Sequence, residues 1–237
     1  YDYDDNGHID LWVANYEREA NAIYQNQGNG QFQHMSRSTG VTAVGGSFVG
    51  FGTEMFDLDF DGHPEIICTN GHVIKFPTAA PRQQLPIFIS YDGKRFVRQN
   101  FPRTDFFSMP HEGRGLALGD LNGDGAQDVV ISHLNQPLTV LINKSPIERN
   151  RVRVHLIGTV SSRDAIGSRI VSTMNGKESI KQIVGGGSYL SSSHRDVWLV
   201  FPEGSQELTI SIRWPSGMQN VDVSIPCDAG VITLIEP

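Results

Sequence analysis

The sequence predicts an all-β chain: a partial β-propeller followed by a small β-sandwich-like domain. Three observations carry this expectation. Three Asp-rich loops share one register. Each leads into a short run rich in β-branched and large apolar residues, without helical spacing. After Asn143 the acidic loops stop, and about seven short strand-like runs follow, separated by Gly and Ser turns.

The middle loop is the fullest. Asp57-Leu58-Asp59-Phe60-Asp61-Gly62-His63-Pro64-Glu65 places carboxylates at its first, third, fifth and ninth positions and Gly at its sixth. Acids this close repel one another unless a cation sits among them. Ca²⁺ takes roughly six to eight such oxygens in a flexible shell. Gly62 lets the backbone turn sharply enough for the acids to converge. The position-seven carbonyls, of His63 here and Ala126 in the third loop, could add backbone oxygens. The pattern recurs at Asp2, Asp4, Asn6 and Asp10, and again at Asp120, Asn122, Asp124 and Asp128. One such loop reads equally well as a solvated surface turn. Three in one register point to Ca²⁺. They are not EF-hands, which need an acid at position twelve and flanking helices. Position twelve is Val13, Cys68 or Ile131.

Each loop therefore sits at a strand–strand corner. The runs after the loops are continuously apolar apart from the ninth-position acid, which suggests strands covered on both faces. Loop starts lie 55 and 63 residues apart, near the period of propeller blades. Asn21–Asn26 followed by Gly28–Phe32, and Leu85–Ser90 followed by Tyr91–Phe96, read as hairpins. The third unit reaches Leu138–Asn143 without such a partner. Propellers need roughly four to eight blades, so these units cannot close a ring alone. The second and third loops have lead-in segments, Phe51–Phe56 and Gly115–Gly119, and the first has none. The chain thus reads as a fragment lacking upstream sequence. Val73–Pro86 reads as a rim insertion, either a connector or a partner-binding loop.

Lys144–Asn150 reads as a linker, which divides the chain into residues 1–147 and 148–237. Strands are expected at Val152–Ile157, Ser168–Met174, Ser179–Val184, Val197–Phe201, Leu208–Trp214, Val221–Ile225 and Val231–Ile235. Trp214-Pro215-Ser216-Gly217 suits a type I turn.

Composition excludes several classes. Hydrophobic residues are 38% and charged residues 19% of the 237-residue chain, as in folded proteins. The net charge is −7, and three divalent cations would bring it to about −1. Without a basic stripe to meet phosphates, nucleic acid is not an expected partner. No apolar run reaches the ~18 residues of a membrane helix. Two cysteines without Cys-x-x-Cys give no disulfide framework and no usual zinc pattern. Cys68 and Cys227 read as free thiols, with one bridge between them left open.

The loops and their flanking strands resemble the FG-GAP/VCBS repeats of integrin-type propellers. The second half resembles the ASPIC/UnbV domain. That likeness is carried by Asn150-Arg151, Gly158-Thr159, Asp164–Arg169, Gly187-Ser188-Tyr189-Leu190-Ser191 and Arg213-Trp214-Pro215-Ser216-Gly217. With Asn70-Gly71-His72-Val73 and Gly113-Arg114-Gly115, the order of modules is similar to the cartilage-acidic-protein family and its bacterial relatives. The resemblance implies an extracellular, cell-surface or periplasmic protein with Ca²⁺ in its blades. Propeller faces and rims suit binding, so the first reading is a non-catalytic recognition or adhesion role toward a protein or glycan ligand. Asn6 and Asn122, in place of Asp, should weaken their sites. Trp198-Leu199-Val200-Phe201-Pro202 departs from the family's Phe-Gly-Leu-Gly-like segment.

An enzyme, either a hydrolase or a biosynthetic tailoring enzyme, is the alternative reading. Relatives of the second domain occur near biosynthetic genes. Its candidates are His72, His111 and Glu112, which would have to converge outside the Ca²⁺ loops. No Gly-x-Ser-x-Gly elbow is present. Ser188 and Ser191–Ser193 read as a solvated turn, and Gly185–Gly187 as tight packing or a flexible turn.

Overall fold

The structure is a computed structural model, which describes residues 1–44, 48–145, 150–174, 177–201 and 204–237. The domain boundary at 147/148 lies outside the described residues. The fold is all-β, as expected. The first half holds three antiparallel blades. Blade one is β1 (Leu11–Val13), β2 (Ala22–Asn26) and β3 (Phe32–His34). Blade two is β4 (Gly50–Phe56), β5 (Glu65–Asn70), β6 (Ile87–Tyr91) and β7 (Phe96–Arg98). Blade three is β8 (Gly113–Gly119), β9 (Asp128–His133) and β10 (Thr139–Leu141). Two short 3-10 helices, Val41–Val44 and Phe106–Ser108, were not legible in the sequence.

The blades stack through their faces. In β5, alternate side chains point to opposite faces. Ile66 and Cys68 join Tyr3, Ile23, Ile87 and Ile89 in one core, toward blade one. Ile67 joins Phe56, Leu116, Val129 and Ile131 in another, toward blade three. Every residue of β5 is buried, so the two-faced reading holds there. It fails for β1, where Leu11 is 48% and Val13 38% exposed. Cys68 is buried and free, and Cys227 is a free thiol in the other half.

The blades also touch through backbone. A Cβ on Gly52 would stand 2.4 Å from both Arg114 O and Leu116 N, so only Gly lets β4 and β8 approach this closely. Both strands carry an irregularity at this level, between Gly50 and Thr53 and between Gly113 and Leu116.

The second half is a two-sheet sandwich. One sheet has the order β14 (Val197–Val200), β11 (Arg151–Ile157), β17 (Val231–Ile235), with β11 and β17 parallel. The other has the order β13 (Lys177–Gln182), β12 (Arg169–Met174), β15 (Glu207–Arg213), β16 (Gln219–Pro226). Val152, Val154, Leu156, Leu199 and Phe201 meet Ile170, Leu208, Ile210 and Ile212 in its core. Trp214 is also buried there, and Gly217 N donates to Trp214 O at 2.9 Å, closing the expected turn.

One expectation is overturned between the halves. Of the run read as a solvated turn, Ser188, Ser191 and Ser193 bond to the blades, while Ser192 is exposed. Thr53 N donates to Ser188 Oγ at 3.1 Å, Leu116 N to Ser191 Oγ at 3.1 Å and Leu118 N to Ser193 Oγ at 3.0 Å. Ser191 Oγ donates back to Leu116 O, and His194 N to Leu118 O. The serine segment thus satisfies the free edges of β4 and β8. Backbone groups at a strand edge need partners, and hydroxyls both donate and accept. Tyr189 packs edge-on against Phe51, whose ring also carries the Arg114 guanidinium at 4.2 Å.

Candidate metal centres

The three acidic loops have the same backbone. Their fourth residues, Asp5, Phe60 and Gly123, all adopt positive φ, at 54°, 60° and 76°. Their sixth residues, Gly7, Gly62 and Gly125, do so at 84°, 93° and 81°. The first-position acid then accepts backbone amides from inside its own loop. Asp2 takes Asn6 N and Gly7 N, Asp57 takes Gly62 N, and Asp120 takes Gly123 N and Gly125 N. The fifth-position residue accepts the amide two residues on: Asn6 from His8, Asp61 from His63, Asp124 from Ala126. These are Asx turns, which explain the Asp and Asn preference without any metal.

The ninth-position acid has a separate task. Asp10 accepts Tyr3 N and Asn26 N, Glu65 accepts Leu58 N, and Asp128 accepts Leu121 N and Asn143 N. It ties the second residue of its loop to the strand that follows, and in loops one and three to the next strand end as well.

Side-chain geometry separates the loops. In loop one, Asp2, Asp4 and Asp10 each offer an oxygen within 4.8 Å of the others. In loop two, Asp57, Asp59 and Asp61 do the same. Each group also contains a buried oxygen without a hydrogen-bond partner, Asp4 Oδ1 and Asp57 Oδ1. Burial raises the acid at Asp2, and pushes Asp10 and Asp57 up to about 6 and Glu65 to about 8. A nearby positive charge would favour the ionised form of each of these carboxylates. Hard, clustered, partnerless oxygens fit Ca²⁺. Glu65 lies outside the loop-two group. His63 packs edge-on to Tyr91, and Asn6 turns its amide nitrogen to Asn26 O. Gln25 donates to the other oxygen of Asp4.

The third loop is arranged differently. Among the described residues it holds no group of three converging acids. Its third position is Asn122, whose nitrogen donates to Asp124 Oδ2 at 2.8 Å. Asp120 Oδ2 faces Arg153 Nη1 at 3.0 Å. Hydrogen bonds hold Asp124 below the usual carboxylate range. Ala126 is buried against Phe60 and Trp198.

The C-terminal half meets all three loops. Arg169 Nη2 donates to Gly7 O at 2.9 Å. Arg151 lies over the Phe60 ring, and Arg151 Nε and Trp198 Nε1 both donate to Gly125 O. Lys181 Nζ reaches Tyr1 Oη at 2.7 Å, and its charge draws down the raised acid of Asp57. Where these elements meet, a cavity of about 360 Å³ is lined by Trp12, Phe56, Lys181 and Trp198. The sequence marked Arg151 only through the second module's likeness, Arg169 through that likeness and a strand, and Lys181 only as a strand residue.

The three catalytic candidates have different partners. His72 Nε2 faces Glu17 at 3.4 Å, His111 stacks on Phe106, and Glu112 pairs with Arg82 at 2.9 Å. No described hydrogen bond joins them.

Residues 2–68 match the family model described as an FG-GAP-like repeat, and residues 158–234 match that described as ASPIC and UnbV. Cartilage acidic protein 1 of Xenopus tropicalis is 27% identical over 262 aligned positions, covering 88% of this chain and 40% of that protein. The chain therefore spans under half the length of that relative. The two modules, in this order, bear out the resemblance seen in the sequence.

Proposed function

We propose that this chain is part of an extracellular or cell-envelope recognition protein whose first two acidic loops bind Ca²⁺ as a structural ion. The observation that carries this reading is the partnerless buried oxygen within each acid group, Asp4 Oδ1 and Asp57 Oδ1. Asp2, Asp4 and Asp10 would hold one ion, and Asp57, Asp59 and Asp61 the other. A bound cation would replace acid–acid repulsion and fix the corner between two strands. Sites of this kind in extracellular modules bind at roughly 10⁻⁴–10⁻³ M.

The recognition role is supported by what the fold leaves open. The serine segment covers the inner strand edges of blades two and three. The 73–86 insertion instead exposes Val73, Ile74 and Phe76, the last at 79%. Grouped exposed apolar side chains favour contact with a protein or glycan. His72, His111 and Glu112, the candidates of the enzymatic alternative, each have a separate partner and do not pair with one another.

Thermal unfolding in EDTA, in excess Ca²⁺ and in Mg²⁺ tests the metal reading. A rise of several degrees specific to Ca²⁺ is expected, because a ligand that binds only the folded state stabilises it. Equal curves in all three conditions would refute it.

A further inference from the structure

We infer that the third acidic loop is a salt-bridged joint between the two modules, with Arg153 as its resident cation in place of a metal ion. The comparison with loops one and two rests on the Ca²⁺ reading above; the joint itself does not.

Loop three keeps the backbone of the other two, with positive φ at its fourth and sixth residues. The side chains differ, above all in the arginine that meets the first position and the Asn at the third. The Asp120 side chain is 4% exposed and fully engaged. Its Oδ1 accepts Gly123 N at 2.8 Å, and its Oδ2 accepts Gly125 N at 3.1 Å and Arg153 Nη1 at 3.0 Å. The equivalent Asp57 keeps a partnerless Oδ1. Asn122 is fixed by Asp124 N donating to its Oδ1 at 3.0 Å, which aims its nitrogen at Asp124 Oδ2. An N–H donor therefore stands between the third and fifth positions, where loop two offers carboxylates. Both oxygens of Asp128 accept backbone amides, as those of Asp10 do in loop one, so the ninth position does not separate the loops.

Two guanidinium groups complete the loop. Arg151 donates to Gly125 O at 3.0 Å and to Asp124 O at 3.3 Å. Arg153 is held from its own module by Asp196 Oδ2 at 3.4 Å, while Asp196 Oδ1 meets His155 Nδ1 at 2.6 Å. A divalent ion at this position would face two fixed positive charges at short range. A planar guanidinium satisfies a buried carboxylate and brings strand β11 with it. The same loop backbone thus serves two purposes: it gathers acids where a metal fits, and receives an arginine where a neighbouring module must dock.

Calorimetric titration of the full chain with CaCl₂ counts the ions. Two per chain are expected, still two in Asp120→Asn, and one in Asp57→Asn. Any count that Asp120→Asn lowers by one would overturn the inference. A chain that binds no ion would refute the Ca²⁺ reading, and a second arm then decides the joint. Asp120→Asn, Arg153→Gln and the double variant are melted in EDTA. The double variant should lose no more of the melting temperature than the worse single variant. Additive losses would overturn the joint.

Discussion

The hydroxyl of Ser193, in the C-terminal module, donates to Oε1 of Glu54 on the second blade at 2.7 Å. The same hydroxyl accepts Leu118 N on the third blade at 3.0 Å. One side chain therefore ties three parts of the chain together. Burial raises the Glu54 acid, and the Ser193 hydrogen bond opposes that shift.

Ser193→Ala should destabilise the chain by about 1–3 kcal/mol, because it leaves two largely buried groups unpaired. Ser192→Ala, one residue away and exposed, should stay within about 0.5 kcal/mol of the parent. Urea unfolding of both variants checks the contrast. Equal effects would mean that the Ser193 contacts add nothing.

Asp57→Asn should change sign with metal. In EDTA it removes a carboxylate that burial disfavours, while its amide oxygen can still accept Gly62 N. Stability there should hold or rise. In millimolar Ca²⁺ the proposed site predicts that the variant melts below the parent, because an ion bound only to the folded state would be lost. Melting curves in the two buffers would expose the crossover.

Trp198→Phe should cost about 1 kcal/mol, the worth of the indole bond to Gly125 O at 2.9 Å. Trp198→Ala should cost about 3–5 kcal/mol, because Phe60 and Ala126 lose the surface they pack on. Denaturant midpoints would separate the two terms. A costless Trp198→Phe would show that the ring packs without its hydrogen bond.

Glu236 gives a pH dependence away from the acidic loops. It is 3% exposed and accepts Thr159 N, Val160 N, Ser161 N and the hydroxyls of Ser161 and Ser216. Burial would raise its acid, but those hydrogen bonds outweigh burial and hold it at about 2, below the ordinary 4.5. A depressed folded value means stability that is present above pH 4.5 and lost as pH falls toward 2. The gap between the parent and Glu236→Gln should shrink over that window in urea titrations. A gap independent of pH would place the effect in packing instead.

Much of this architecture was legible because its signals are local. An Asx turn and a glycine at positive φ are set within nine residues, so Asp57–Glu65 announced a corner before any fold was known. Strand boundaries from Val152 to Ile235 followed from runs and turns of the same short range. What could not be read depends on distant partners. Ser188 looks like a turn residue until Thr53 N is found beside it. Arg153 is one polar residue in a strand until Asp120 meets it. The exposure of Leu11 and Val13 depends on which sheets cover β1, and no pattern within β1 encodes that. The Asp120 loop shows the limit most sharply. Its acids match the repeat, yet the guanidinium that answers them stands 33 residues further along.

The serine segment also sets a schedule for folding. The Ser188 bond to Thr53 spans 135 residues, and those of Ser191 and Ser193 to β8 span 75. Contacts this distant carry a large loop-closure entropy and form late. At synthesis rates of roughly 5–20 residues per second, β4 waits on the order of ten seconds for its partner to emerge from the ribosome. Through that interval the inner strands of blades two and three present open backbone edges, the geometry that recruits strands from other chains. The cell that makes this protein must either shield those edges or deliver the serine segment before a neighbouring copy reaches them.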